Sequence, residues 1–364
     1  MTSAAAATER AAIPFPEVLA AKRQAIWEVV QSYLEDVWAP AIASYAGRSP
    51  ELAAFHQRLV TEYPRRRGKY LRPALVLLTC EALGGAPRRA LPTAAAIQLC
   101  EDWLLVHDDC EDGSPKRRGE KALHRLYGRP LAINAGDALH MLMWRVLQDN
   151  FALMPADLAR QIMQEFYELL TRTAFGQTVE LKWTSDNMLD LTTDDWFFLA
   201  KNKTAYYTVV GPMRLGALVG GATPAQLEAI RRFAVLLGQS FQIVDDVLDL
   251  VCDFDGLKGP EGGDIVEGKR TLMLIHLLNS AAPADREAIL AVLRKPGSRK
   301  TRHDVAHIIR LMHEYGSIAY ARRVAGDLAT AAITMFETEL TFLASEPARE
   351  QLRSGIEFIL ARHR

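Results

Sequence analysis

The chain has 364 residues, of which 49% are hydrophobic and 24% charged, with a formal net charge of −1. This composition supplies a globular core and leaves no case for disorder beyond the ends, and so small a net charge removes the electrostatic argument for nucleic acid or an anionic membrane as main partner. Four cysteines, Cys80, Cys100, Cys110 and Cys252, lack CxxC spacing; that argues against a zinc site or a disulfide framework and makes a reducing, cytoplasmic setting the expectation.

In chain order, residues 1–13 are Ala-rich without the basic start and long apolar run of a signal peptide, so a disordered tail is expected there and a single domain over 14–364. No window holds the roughly 18 uninterrupted apolar residues of a membrane span. Apolar residues at Ile26, Val29, Val30, Tyr33 and Leu34 recur at helical spacing. The same period predicts helices near 50–62, 71–84, 91–109, 129–151, 156–183, 192–220, 225–250, 269–280, 284–294, 302–314, 317–344 and 347–362. Breaks at Gly84-Gly85, Asp112 to Arg118, Gly220-Gly221, Gly256 to Gly268 and Lys295 to Arg299 do not read as interdomain linkers. Strand-like alternation is scarce, so the fold class is all-α, one large helical bundle.

One motif occurs twice. The apolar helix ending near residue 109 closes on His107-Asp108-Asp109-Cys110-Glu111-Asp112, and a second closes on Asp245-Asp246-Val247-Leu248-Asp249, with Gln242 one turn earlier. At about 100° per residue, Asp108 and Asp112 share a face. A helix C-terminus carries partial negative charge and disfavours carboxylates, so two such clusters call for cations. All-oxygen ligation with positions left for phosphate suits Mg²⁺. Basic residues accompany each cluster: Lys116, Arg117 and Arg118 after the first, Lys258 and Lys269 around the Gly-rich loop after the second. A third element, Gly68-Lys69-Tyr70-Leu71-Arg72-Pro73, places Lys69 and Arg72 at a helix start, where free N–H groups favour anions. Singly each is ordinary surface charge; together they predict two diphosphate pockets.

The ordered series Gly68-Lys69-x-x-Arg72-Pro73, His107-Asp108-Asp109-x-x-Asp112-x-Ser114-x-x-Arg117-Arg118-Gly119, Gly136-Asp137, Gly176-Gln177, Lys203-Thr204, Phe241-Gln242-x-x-Asp245-Asp246-x-x-Asp249, Gly263-Asp264 and Lys269-x-Thr271 resembles the trans-isoprenyl diphosphate synthase (polyprenyl synthetase) family. The resemblance implies an isoprenoid-synthase bundle with a deep central cavity, a homodimer, and condensation of isopentenyl diphosphate with an allylic diphosphate. It also implies that Asp108, Asp112 and Asp245, with Asp249 beside them, carry three Mg²⁺, and that Asp109 and Asp246 complete the catalytic clusters. Arg117, Lys203, Thr204, Gln242, Lys258 and Lys269 would hold the allylic diphosphate; Lys69, Arg72 and Arg118 would hold isopentenyl diphosphate.

Three positions depart from the family pattern. Glu101 stands where a His is usual, and repels a diphosphate unless protonated or paired with Lys69, Arg72 or Arg118; Arg67 replaces a Gly and Lys121 a Pro. Trp103 and Leu104, at the positions that form the chain-length floor in relatives, predict a product of about C15 to C20 by that resemblance, with core or interface packing as the other role for the indole. Gly238 either leaves room for the growing chain or serves helix packing. Two other functions are weighed: a class I terpene cyclase, which Glu101 favours and the second aspartate cluster opposes, and a regulatory subunit, which the intact carboxylates oppose.

Overall fold

The computed structural model describes residues 13–36, 48–251 and 262–361. Nearly all of residues 1–13, together with Cys252, Lys258 and the Gly-rich loop before Gly262, lie outside the described residues.

The chain starts with α1 (Phe15–Asp36) and α2 (Pro50–Arg65), the latter opening on Pro50 with Glu51 in the first turn and closing on Arg65, charges that complement the helix dipole. Next come α3 (Leu71–Ala82) and α4 (Pro87–Asp112). Helix α4 is buried on almost every side, from Ala94 to Asp102, and packs against α6 (Arg129–Leu153); a helix enclosed all round is the centre of a bundle. It stops at Gly113, whose φ of +69° is the left-handed conformation that ends helices, so the first aspartate cluster occupies its last turn.

A two-strand hairpin, β1 (Lys116–Arg117) and β2 (Glu120–Lys121), follows α4, where only a break was expected. Its two turn residues, Arg118 and Gly119, have φ of +54° and +80°, as a two-residue hairpin requires. After the short α5 (Leu123–Tyr127) and α6 comes α7 (Ala156–Ser185).

The expected helix over 192–220 is three segments. Helix α8 (Thr193–Leu199) opens on a Thr192/Asp195 capping box; Ala200–Val210 is a π-helix; α9 (Gly211–Val219) resumes the α form. Period alone does not separate these, because the sequence stays apolar throughout while the backbone changes its hydrogen-bond step. Two glycines press neighbouring helices onto the π-segment. A Cβ at Gly176 of α7 would lie 2.6 Å from the Lys203 nitrogen, and one at Gly238 of α10 (Pro224–Val251) would lie 2.6 Å from Ala205 Cα. Gly238 is therefore a packing contact.

The remainder is α11 (Gly263–Glu267), α12 (Leu272–Ser280), α13 (Pro283–Leu293), a 3-10 turn at Gly297–Arg299, α14 (Arg302–Glu314), α15 (Ser317–Thr338) and α16 (Ala348–Ala361). Helix α15 ends six residues short of the expected 344, at Thr338. Helix α10 lies between the π-helix and α15, so α4 and α10, the two carriers of the aspartate motif, are both interior helices. The fold class is all-α, as the period predicted. No helix among the described residues is long and apolar enough to cross a membrane.

Candidate active site

The C-terminal turns of α4 and α10 open onto one cavity of about 1080 Å³, lined by Asp108 from the first and by Asp245, Asp246 and Asp249 from the second. Asp109 and Asp112 are not on its wall but bond to residues that are. Cationic residues singled out by the sequence line the same space, namely Lys69, Arg72, Arg117, Arg118, Lys203 and Lys269, as do Thr204 and Gln242. Trp103, Leu104 and Glu101 complete this wall.

At the first cluster the helical turn separates the paired aspartates. Asp108 faces the cavity, while Asp109 is 1% exposed and accepts from Arg117 Nε at 2.8 Å. Arg117 also donates to Asp108 at 2.8 Å. Asp112 lies 3.2 Å from Lys269 Nζ, which in turn contacts Asp264 at 3.4 Å and Glu267 at 2.5 Å. Lys269 thus ties the end of α4 to the short α11.

The second cluster repeats the division with a neutral partner. Asp246 is buried and accepts from Gln242 Nε2 at 2.6 Å, and the Gln242 carbonyl oxygen accepts from the Thr204 hydroxyl at 2.6 Å. Burial, reinforced by Asp264, holds the Asp246 carboxyl well above the usual carboxylate range. The same two causes push Asp249 up to about 7, although its carboxylate accepts the Asp264 backbone N–H at 3.0 Å. Lys203, on the π-helix, is paired with Glu180 of α7. A π-turn at this point fits the tendency of such segments to mark functional sites.

Across the cavity, the hairpin turn sends consecutive arginines apart. Arg117 goes to the aspartate cluster, whereas Arg118 reaches Asp102 at 2.9 Å and Glu101 at 3.8 Å and stacks over the Tyr63 ring at 4.6 Å. Its guanidinium lies against Gly68, where a Cβ would come within 2.9 Å. Arg72 is 3.1 Å from the Glu101 carboxylate, donates to Thr208 at 2.9 Å and lies 3.9 Å over the Tyr207 ring. Glu101 is therefore paired with Arg72 and Arg118, one of the outcomes its sequence position left open. Arg67, where a Gly was expected, has φ of +45°, the region Gly adopts without cost; its guanidinium stacks 4.6 Å from the Trp27 ring.

Sequence reading did not single out Asp102, Glu180, Tyr63, Tyr207 or Thr208. Asp102 had a faint local signal: Gln98 precedes it by four residues in an otherwise apolar helix and donates to it at 3.0 Å. The others come from distant segments and had none. Trp103 stacks flat on His140 of α6, with centroids 3.9 Å apart and planes 10° apart, and its indole N–H donates to His107 at 3.3 Å. Trp103 also packs against the main apolar cluster, so cavity lining and core packing coexist.

The family model described as polyprenyl synthetase matches residues 54–312. The chain belongs to that family. It is 35% identical over 295 residues to the short chain isoprenyl diphosphate synthase of Methanothermobacter thermautotrophicus, spanning 81% of this chain and 86% of that one. The geranylgeranyl diphosphate synthase of Mycobacterium tuberculosis is 34% identical over 267 residues, 73% of this chain and 74% of its own. The crystal structure of geranylgeranyl pyrophosphate synthetase from Pyrococcus horikoshii matches with a TM-score of 0.81 at 28% identity, covering 95% of this chain and 98% of that chain. This polyprenyl synthetase is a trans-prenyltransferase; the cyclase and regulatory-subunit readings are not favoured.

Proposed function

We propose that the enzyme condenses isopentenyl diphosphate with an allylic diphosphate, head to tail, giving a product of about C15 to C20 by the resemblance stated above. The observation that carries this reading is the meeting of both aspartate clusters and both cation groups on the wall of one cavity. In this reading Asp108, Asp112, Asp245 and Asp249 hold three Mg²⁺. The donor set fits: the residues are all carboxylates, and Asp108, Asp245 and Asp249 line one cavity. Mg²⁺ is typically held by one or two carboxylates plus substrate phosphate rather than by an all-protein cage. When bound, the metal supplies positive charge that stabilises departing pyrophosphate.

The chain's own residues do the rest. Arg117, Lys203 and Lys269 already hold carboxylates, so they are oriented toward anions and can exchange those partners for the allylic diphosphate. Thr204 and Gln242 give that diphosphate neutral hydrogen-bonding groups, fixed by the buried Asp246. Asp109 acts as a positioning residue for Arg117. Lys69, Arg72 and Arg118 receive the second diphosphate. Loss of pyrophosphate leaves an allylic cation, which the C=C of the second substrate attacks; the proton then lost goes to the released pyrophosphate. Leu104, Trp103 and Phe241 on the wall exclude water that would trap the cation. Trp103 forms the floor that limits chain length, supported by its place on the cavity wall and its stacking on His140 of α6. The proposal extends to a cytoplasmic homodimer acting as one domain over 14–364.

Purified enzyme with Mg²⁺, isopentenyl diphosphate and separate C5, C10 and C15 allylic diphosphates is expected to incorporate the five-carbon unit into at least one primer. Release of hydrocarbon or alcohol with no incorporation would sink the proposal.

A further inference from the structure

The second phosphate pocket contains acids as well as bases. Arg72 arrives from the first turn of α3 and Arg118 from the hairpin, and both converge on Glu101. Asp102, the next residue on α4, takes the remaining side of Arg118. Tyr63 from α2, Tyr70 before α3 and Tyr207 from the π-helix close the pocket, and Asp245 of α10 acts on Arg72 from the metal side. With Lys69 on the same wall, three cations share the pocket with Glu101 and Asp102, and Asp245 acts on one of them as well. Burial raises the Asp102 carboxyl to about 6, which leaves it mostly ionised at neutral pH.

The hydrogen-bond inventory is equally unusual. Glu101 Oε2, Asp102 Oδ2, Arg72 Nε and the hydroxyls of Tyr63, Tyr70 and Tyr207 are buried without a hydrogen-bond partner. Such groups in a folded protein are normally satisfied, so the pocket is shaped for a polar occupant. The two guanidiniums that would grip a diphosphate lie in ion-pair range of carboxylates, Arg72 at 3.1 Å from Glu101 and Arg118 at 2.9 Å from Asp102, so an arriving anion must share their charge even though Arg72 Nε and both Arg118 Nη atoms have no hydrogen-bond partner.

We propose that Glu101 is the specificity-determining residue of this pocket: by competing for Arg72 and Arg118 it weakens the hold on a homoallylic diphosphate more than on the corresponding monophosphate, so that the acceptor is selected by charge. The identity of the acceptor rests on the prenyltransferase reading above; the competition does not. The repulsion from Glu101 scales with the charge the acceptor brings, whereas the phenolic donors bind either ester alike.

The test compares wild type with Glu101→Gln, which keeps shape and removes charge. With the allylic diphosphate saturating, the KM for isopentenyl diphosphate is expected to fall about tenfold or more and that for isopentenyl monophosphate about threefold or less, with kcat and the allylic KM nearly unmoved. Equal changes for the two acceptors, or none, overturn the proposal. Should the variant fail to fold, calorimetric titration of wild type with each isopentenyl ester decides: a preference for the diphosphate below about a hundredfold is expected, and a larger one overturns it. Failure of wild type to turn over any primer would break the activity reading instead, leaving the calorimetric comparison intact.

Discussion

The two aspartate clusters have the same motif, the same place in the last turns of an interior helix and the same burial of their second carboxylate, yet they differ in what that carboxylate holds. Asp109 anchors a cation, Arg117, delivered by a hairpin that belongs to no helix. Asp246 anchors a neutral amide, Gln242, one turn back on its own helix. The first cluster therefore carries its counter-charge within the protein. The second has its acids crowded by Asp264, and burial drives two of them upward in pKa. Identical local sequence does not make identical electrostatics, because the field at each carboxylate is set by whichever segment packs against it.

The largest effects should come from what the clusters share. Asp108→Asn and Asp245→Asn should each lower kcat by about a thousandfold, since each carboxylate would hold Mg²⁺ whose positive charge stabilises the leaving group; a variant keeping more than a tenth of wild-type kcat would break the equivalence. Next comes the contrast between second aspartates. Asp109→Asn takes from Arg117 one of its two carboxylate partners, leaving Asp108, and should cost about 2 kcal/mol of stability, while Asp246→Asn loses a bond to a neutral group, about 1 kcal/mol. Equal losses in urea unfolding would remove the distinction.

A smaller effect is pH-dependent. The Asp102 carboxyl is raised to about 6 in the fold against 3.8 outside it, chiefly by burial. A raised carboxyl contributes stability that is full below the unfolded value and is lost as pH rises through the folded one, at most about 3 kcal/mol here. Wild type should thus gain on Asp102→Asn as pH falls from 7 toward 4; a difference that stays level with pH would refute the burial effect.

The smallest energetic effect separates the two helices in another way. Trp103→Ala on α4 should lengthen the product by one or two five-carbon units, read by chromatography of the dephosphorylated products. Gly238→Ala on α10 should instead cost about 1–3 kcal/mol by overpacking Ala205 and leave product length alone. Longer products from Gly238→Ala would reverse the assignment of the two positions.

Much of the fold was legible because each helix carries its own information. The period from Ile26 to Leu34 needs no neighbour to be read, and Pro50, Pro87 and Gly113 mark ends by local backbone preference. The π-helix escaped because its residues suit either helix, and only the close approach of Gly176 and Gly238 distinguishes that segment. Among site residues, the repeated motif exposed the aspartates and the basic residues near them. It did not expose Glu180 or Tyr207, which reach the cavity from other helices and whose local sequence resembles any amphipathic surface.

By itself, the order of residues determined an all-helical chain with two carboxylate-rich helix ends, since helical period and motif spacing are short-range properties. Tertiary structure alone decided that Asp108 lines the cavity while Asp109 turns to Arg117, that Arg117 and Arg118 part toward different carboxylates, and that Glu101 is paired rather than bare. The physical reason is that pairing, burial and proton affinity depend on groups from four to more than a hundred residues away, and packing rather than sequence distance sets their separation.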